Sequence, residues 1–131
     1  MIQQNSILLV TDKSGASLVQ CIKVLGSSKR RSAKLGDIVI VSIKKLHSTR
    51  FSSLKPGQQK QFSKGRLHRA LIVRTRLNYC RFPGIYVRFD ENSVIIVNKK
   101  VVPVSSRVYG PVLRELCIKY PSIGSICRYI V

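Results

Sequence analysis

Acidic side chains are the scarcest resource of this sequence. Among 131 residues, five are Asp or Glu against 24 Lys and Arg, a formal net charge of +19. The five, Asp12, Asp37, Asp90, Glu91 and Glu115, are scattered along the chain. That leaves little for paired-carboxylate or two-metal chemistry. No glycine loop ends in Gly-Lys-Ser/Thr, and no serine sits in a nucleophile elbow. No apolar run reaches the roughly 18 residues of a membrane-spanning helix. Cysteine is sparse: Cys21, Cys80, Cys117 and Cys127 form no C-x-x-C pair, and His47 and His68 lack the spacing to complete a zinc site. The cysteines read as reduced, small apolar side chains, not as a disulfide framework. Tryptophan is absent and aromatics make up 7%, which disfavours schemes that stack bases along strand faces. The expectation is a protein without catalysis, cofactor or metal.

What is present is a core under a basic skin. The hydrophobic share is 44%, too high for a disordered basic tail. The length suits one domain, 1–131. A charge surplus of this size repels itself unless an anion neutralises it, and nucleic acid is the default partner. A membrane-surface protein would need a cationic amphipathic helix; the one helix candidate, 112–119, carries only Arg114 and Lys119, so no membrane partner is expected.

Strand signals dominate. Ile7–Val10 is a short apolar run, and Asp12-Lys13-Ser14-Gly15 is turn chemistry before a second run, Leu18–Leu25. In that run Leu18, Gln20, Ile22 and Val24 share one face, and Val19, Cys21, Lys23 and Leu25 the other. Ile38–Ile43 is nearly all β-branched, which predicts burial on both faces or in a barrel wall. Residues 70–75 form another strand. Ile85, Val87 and Phe89 point inward and Tyr86 and Arg88 outward in an alternating strand that forms an antiparallel hairpin with 94–97. Five or six short strands suggest a small closed barrel over about 1–110. Pro111 opens a helix over 112–119 that Pro121 stops, with a second short helical turn within 122–131. The C-terminal part, 111–131, is thus helical.

Basic residues cluster. Lys29, Arg30, Arg31 and Lys34 form one group in a loop between strands. From Lys44 to Arg81 there are eleven basic residues and no acid. The excursion 44–69, carrying Lys44, Lys45, Arg50, Arg66 and Arg69, has too few apolar residues for a core of its own. It is expected to project as a β-ribbon or loop and to be ordered chiefly by RNA or a neighbouring protein. Arg74, Arg76 and Arg81 flank a turn containing Asn78, Tyr79, Pro83 and Gly84. Arg offers a planar fork to phosphate, and Tyr79 or Phe82 can stack on an unpaired base.

Several blocks together resemble the universal large-subunit ribosomal protein L-fourteen family: MIQQNSILLVTDKSGASLVQCIKVLG, SKRRSAKLGDIVIVSIK, ALIVRT with RFPGIYVRFDENSVIIVN, and SSRVYGPVLREL. Their order fits that family over nearly all of 1–118. The resemblance implies a mainly β fold, a five-stranded closed β-barrel with a projecting β-ribbon or loop and a small C-terminal helical portion. It implies a structural constituent of the ribosome that binds large-subunit rRNA at the intersubunit face and bridges to small-subunit rRNA. Implied neighbours are ribosomal proteins L-three and L-nineteen and a ribosome silencing factor. Lys23, Arg30, Arg31, Lys44, Arg74, Arg88 and Arg114 fall on basic positions of the family pattern. Gly15, Gly26, Gly36, Gly84 and Gly110 fall on its glycines, and Arg107, with Arg114, on its protein-partner surface. The chain departs from the bacterial pattern in a longer 45–66 segment, in the turn Cys80–Gly84, which loses an acid, and in the tail after Leu116. These departures, with no import signal in MIQQNSILLV, suggest an organelle-encoded mitochondrial member, with a plastid or bacterial cytoplasm as alternatives. The competing functional reading is a free single-stranded RNA-binding barrel acting as a translation factor or RNA chaperone.

Overall fold

The computed structural model describes residues 1–82 and 84–131; Pro83, assigned above to a turn, lies outside the described residues. In chain order the elements are β1 (Ile2–Gln3), β2 (Ile7–Val10), β3 (Ala16–Val24), β4 (Ser32–Ala33), β5 (Ile38–Leu46), α1 (Ser48–Ser52) and α2 (Pro56–Gln61). Then follow β6 (Leu67–Arg74), β7 (Tyr79–Arg81), β8 (Ile85–Val87), β9 (Ser93–Val97), β10 (Val108–Val112), α3 (Arg114–Lys119), α4 (Pro121–Gly124) and β11 (Cys127–Ile130). Strands β2-β3-β5-β6-β9 close into a barrel. Every pairing in it is antiparallel except β2 with β9, which is parallel.

The unbroken apolar runs are explained by two cores. Val39, Val41 and Ile43 of β5, Ala70 and Ile72 of β6, and Val94 and Ile96 of β9 fill the barrel with Leu8, Val10, Val19 and Cys21. The intervening residues Leu71, Val73, Ile95 and Val97 point outward and are buried under Phe89, Val108, Val112, Leu113, Leu116 and Ile123. Strands covered on both faces have no reason to alternate.

The seam between β2 and β9 is held by Asp12, which is fully buried. One carboxylate oxygen accepts the Ser14 N–H (2.8 Å) and the other the Ile96 N–H on β9 (2.8 Å). Burial pushes this carboxyl above its usual pKa, against the opposing effect of those hydrogen bonds and of Arg50. The turn then needs Gly15, at φ +88: a Cβ there would lie 2.9 Å from Leu54 Cδ1.

Four expectations change. In β3 the register slips between Cys21 and Lys23, so Ile22 is an extra residue and neither predicted face runs through. Val19, Cys21 and Val24 are buried while Lys23 is exposed. Segment 85–89 forms no hairpin with 94–97, because β9 already has β2 and β6 on its two sides. β8 pairs instead with β7 in a separate two-stranded ribbon, which leaves Ile85 exposed. The fold's ribbon is therefore at 79–87 and not in 44–69. Pro111 lies in β10, not in a helix. β10 pairs in parallel with β11 alone, the register shifts between Val108 and Pro111, and an edge pair of this kind tolerates the missing N–H.

The 44–69 excursion is the fourth. Its tip folds into α1 and α2, and Phe62 is buried in the barrel core, with Leu46 and Leu54 packed against that core. Phe62 also stacks on His68, ring centroids 5.1 Å apart. The sparse apolar residues of the segment borrow the barrel's core instead of building one. Replacing Phe62 by Ala should therefore destabilise the chain by about 3–5 kcal/mol in urea denaturation. A loss below about 1 kcal/mol would mean that the segment is not seated on the barrel.

Candidate nucleic-acid interface

The bulge at Ile22 aims side chains outward at the end of the barrel where β1 and β4 pair. Ile2 faces Ala33 and Gln3 faces Ser32 across that short pair, with Ile2 and Ala33 buried. The turn after β1 is pinned to β3: the Asn5 N–H donates to the Cys21 carbonyl (2.7 Å) and the Cys21 N–H to the Ser6 carbonyl (2.9 Å). The loop following β3 closes the other side. The result is an open cleft of about 700 Å³ whose lining includes Lys23, Arg30 and Arg31. Three of the expected basic residues thus converge, while Lys29 is exposed on the same loop.

Arg30 is oriented from two sides. Its guanidinium is ion-paired with Asp37, and it lies across Gly26, where a Cβ would meet Arg30 Nη1 at 2.9 Å. Asp37 also accepts the Lys34 N–H (2.7 Å), which shapes the turn before β5. Lys34 itself is exposed.

The remaining expected residues divide into free and committed groups. Lys44 and Lys45 at the end of β5, Arg66 before β6, Arg69 within it, and Arg88 are exposed, as are Arg107 and Arg114 of the expected protein-partner surface. Arg76 is exposed, with Nε donating to the Asp90 carbonyl (2.7 Å). Arg50 is half-buried, 4.4 Å from the centre of the Tyr109 ring, and donates to the Asp12 carbonyl (3.4 Å). Arg74 is a correction to the expected RNA-contacting set. It is buried, and its guanidinium donates to Ser93 Oγ (3.0 Å) and the Tyr109 carbonyl (3.1 Å) and pairs with Glu91 (2.6 Å). Gly110 makes room for it, since a Cβ there would sit 1.9 Å from Arg74 Nη1. Arg81 is likewise engaged, in a forked pair with Glu115 at 2.5 and 3.0 Å.

Asp37, Glu91 and Glu115 thus each hold one arginine among the described residues. The scarce acids brace the framework and leave most surface cations uncompensated. Of the two aromatics expected to stack on bases, Phe82 is fully exposed, whereas Tyr79 packs against the outer core. Sequence reasoning missed Gln3 and Gln4, which also line the cleft; two-residue strands carry no periodic signal that would have found them.

Among the described residues, no helix is long and apolar enough to cross a membrane. The family model described as ribosomal protein L14p/L23e matches residues 1–131.

The Arg81–Glu115 pair makes a prediction with a defined sign. The hydrogen bonds from Arg81 hold the Glu115 carboxyl below its usual range. A depressed carboxylate adds stability above its unfolded pKa near 4.5, and that stability is lost as pH falls through the lower folded value. Glu115→Gln should therefore flatten the acid limb of the melting curve below about pH 4.5. It should also free Arg81, steepening the dependence of log K for RNA on log salt by about 0.7–0.9. Unchanged acid stability would show the pair to be inert.

Proposed function

Because this chain belongs to the ribosomal protein L14p/L23e family, it is a structural constituent of the large ribosomal subunit, and we propose that it is held there by large-subunit rRNA bound across its largely uncompensated cationic surface. The observation that carries this is the division of labour among the charges. Glu91 and Glu115 are spent on Arg74 and Arg81 inside the framework, and Asp37 on orienting the exposed Arg30, while Lys23, Lys29, Lys34, Lys44, Lys45, Arg66, Arg69 and Arg88 stand exposed. Cations so placed suit phosphates and sugars of a folded RNA, read mainly by shape.

The position in the subunit follows from the same reading. The chain sits at the intersubunit face and contributes to bridges with small-subunit rRNA. Arg107 and Arg114 face protein neighbours, L-three and L-nineteen, and a silencing factor that blocks subunit joining. The divergent tail and the longer 45–66 segment support a mitochondrial ribosome as its home. The alternative of a free single-stranded RNA-binding module is disfavoured by a specific feature: β2, β3, β5, β6 and β9 carry no Phe, Tyr or Trp. A stacking platform on barrel strands needs them.

Replacing Lys29, Arg30 and Arg31 together by Ala tests the electrostatic part. Affinity for a large-subunit rRNA fragment should fall, and the slope of log K against log salt should become shallower by about 2. The far-ultraviolet circular dichroism of the barrel should not change. Equal affinity and slope in the variant would remove the cluster from the RNA interface; a collapsed barrel would make it structural.

A further inference from the structure

The cleft beside β3 has chemistry that backbone phosphates alone do not require. Its lining combines the cations Lys23, Arg30 and Arg31 with two primary amides, Gln3 and Gln4, and the half-buried Ile22. A cation grips phosphate without regard to sequence, whereas an amide offers one donor and one acceptor side by side, the pattern that matches a base edge such as that of adenine. The volume, about 700 Å³, lies within the ~300–1,000 Å³ of small-ligand sites. Its walls are fixed before any ligand arrives. The Asn5–Cys21 and Cys21–Ser6 hydrogen bonds tie the turn that carries Gln4 to β3, the β1–β4 register sets Gln3 opposite Ser32, and Asp37 with Gly26 sets the direction of Arg30.

We infer that this cleft seats a single nucleotide extruded from an RNA helix. Lys23, Arg30 and Arg31 hold its flanking phosphates, Ile22 lies against the base, and the Gln3 and Gln4 amides read the base edge. The inference rests on the proposed rRNA binding and adds the ligand class of one site. Extrusion suits it, because the deep groove of an A-form duplex keeps paired base edges out of reach, and unpaired bases are where sequence is read in RNA.

The test uses the full chain and three RNA hairpins of one stem sequence: fully paired, with one bulged adenosine, and with one bulged abasic site. Fluorescence anisotropy at fixed salt should give about tenfold tighter binding to the bulged adenosine than to the paired stem, the size of one good base contact. The abasic bulge should bind like the paired stem. The double variant Gln3→Ala/Gln4→Ala should lose the preference and keep the paired-stem affinity, with its melting temperature as the folding control. Arg30→Ala/Arg31→Ala should weaken all three RNAs alike. Equal binding of the adenosine and abasic bulges would overturn the base-reading site while leaving RNA binding intact. So would a preference that survives in the glutamine double variant. Failure to bind any of the three would contradict the RNA-binding reading itself, and the site with it.

Discussion

A barrel of five strands must close, and in this chain closure falls to a parallel seam only a few residues long. β2 and β9 align through Leu9 with Ser93 and Val10 with Val94, and parallel pairing is the weaker kind per residue. Asp12 completes the seam by bonding the N–H of Ser14 and that of Ile96. The rest of the structure meets at the same place. The Tyr109 N–H reaches the Thr11 carbonyl (2.7 Å), and Asp12 forms a bridge with Val108, tying on the C-terminal cover. Arg50 reaches the Asp12 carbonyl from the helical excursion. A buried carboxylate is costly unless its oxygens are satisfied; here both accept backbone N–H groups, while the backbone of Thr11 and Asp12 meets Tyr109, Val108 and Arg50. Closure also removes the free strand edges that an open sheet would otherwise expose.

Charge is organised by the same economy. With few acids available, four of the five are placed where they fix something: Asp12 the seam, Asp37 the orientation of Arg30 and the turn at Lys34, Glu91 the buried Arg74, Glu115 the ribbon through Arg81. Two kinds of cation result. Arg74 and Arg81 are framework, packed between the barrel, the ribbon and the C-terminal part. Lys23, Lys29, Arg66, Arg69 and Arg88 stand in solvent and are available to a polyanion.

The barrel was legible because its strands are made of β-branched runs bounded by turn residues; of the two runs without alternation, residues 70–75 are buried throughout, whereas in Ile38–Ile43 the outward Ile38 and Ile40 are only half-buried. The Asp12 turn was legible from local chemistry, but its bond to Ile96 was not, since nothing local marks a contact across 84 residues. Three failures share one cause, partner choice. Ile85–Phe89 alternates as a strand should, yet β9 had no side left to offer it. Pro111 marks a helix start by local statistics, but β11 supplies a tertiary partner that overrides them. The excursion looked too polar to fold because its few apolar residues were counted alone; Phe62 belongs to the barrel's core. In the candidate interface the loop cations were readable from composition, whereas the bulge that turns Lys23 outward and the burial of Arg74 depend on packing.

A closed barrel with an uncompensated cationic surface should be a fixed part of the large subunit. Gradient sedimentation of particles from the native source, washed at rising salt, tests it most directly. The chain should stay with the large subunit through moderate salt and enter the joined ribosome with it. Release of most of the chain to the top of the gradient at low salt would instead mark a free RNA-binding barrel.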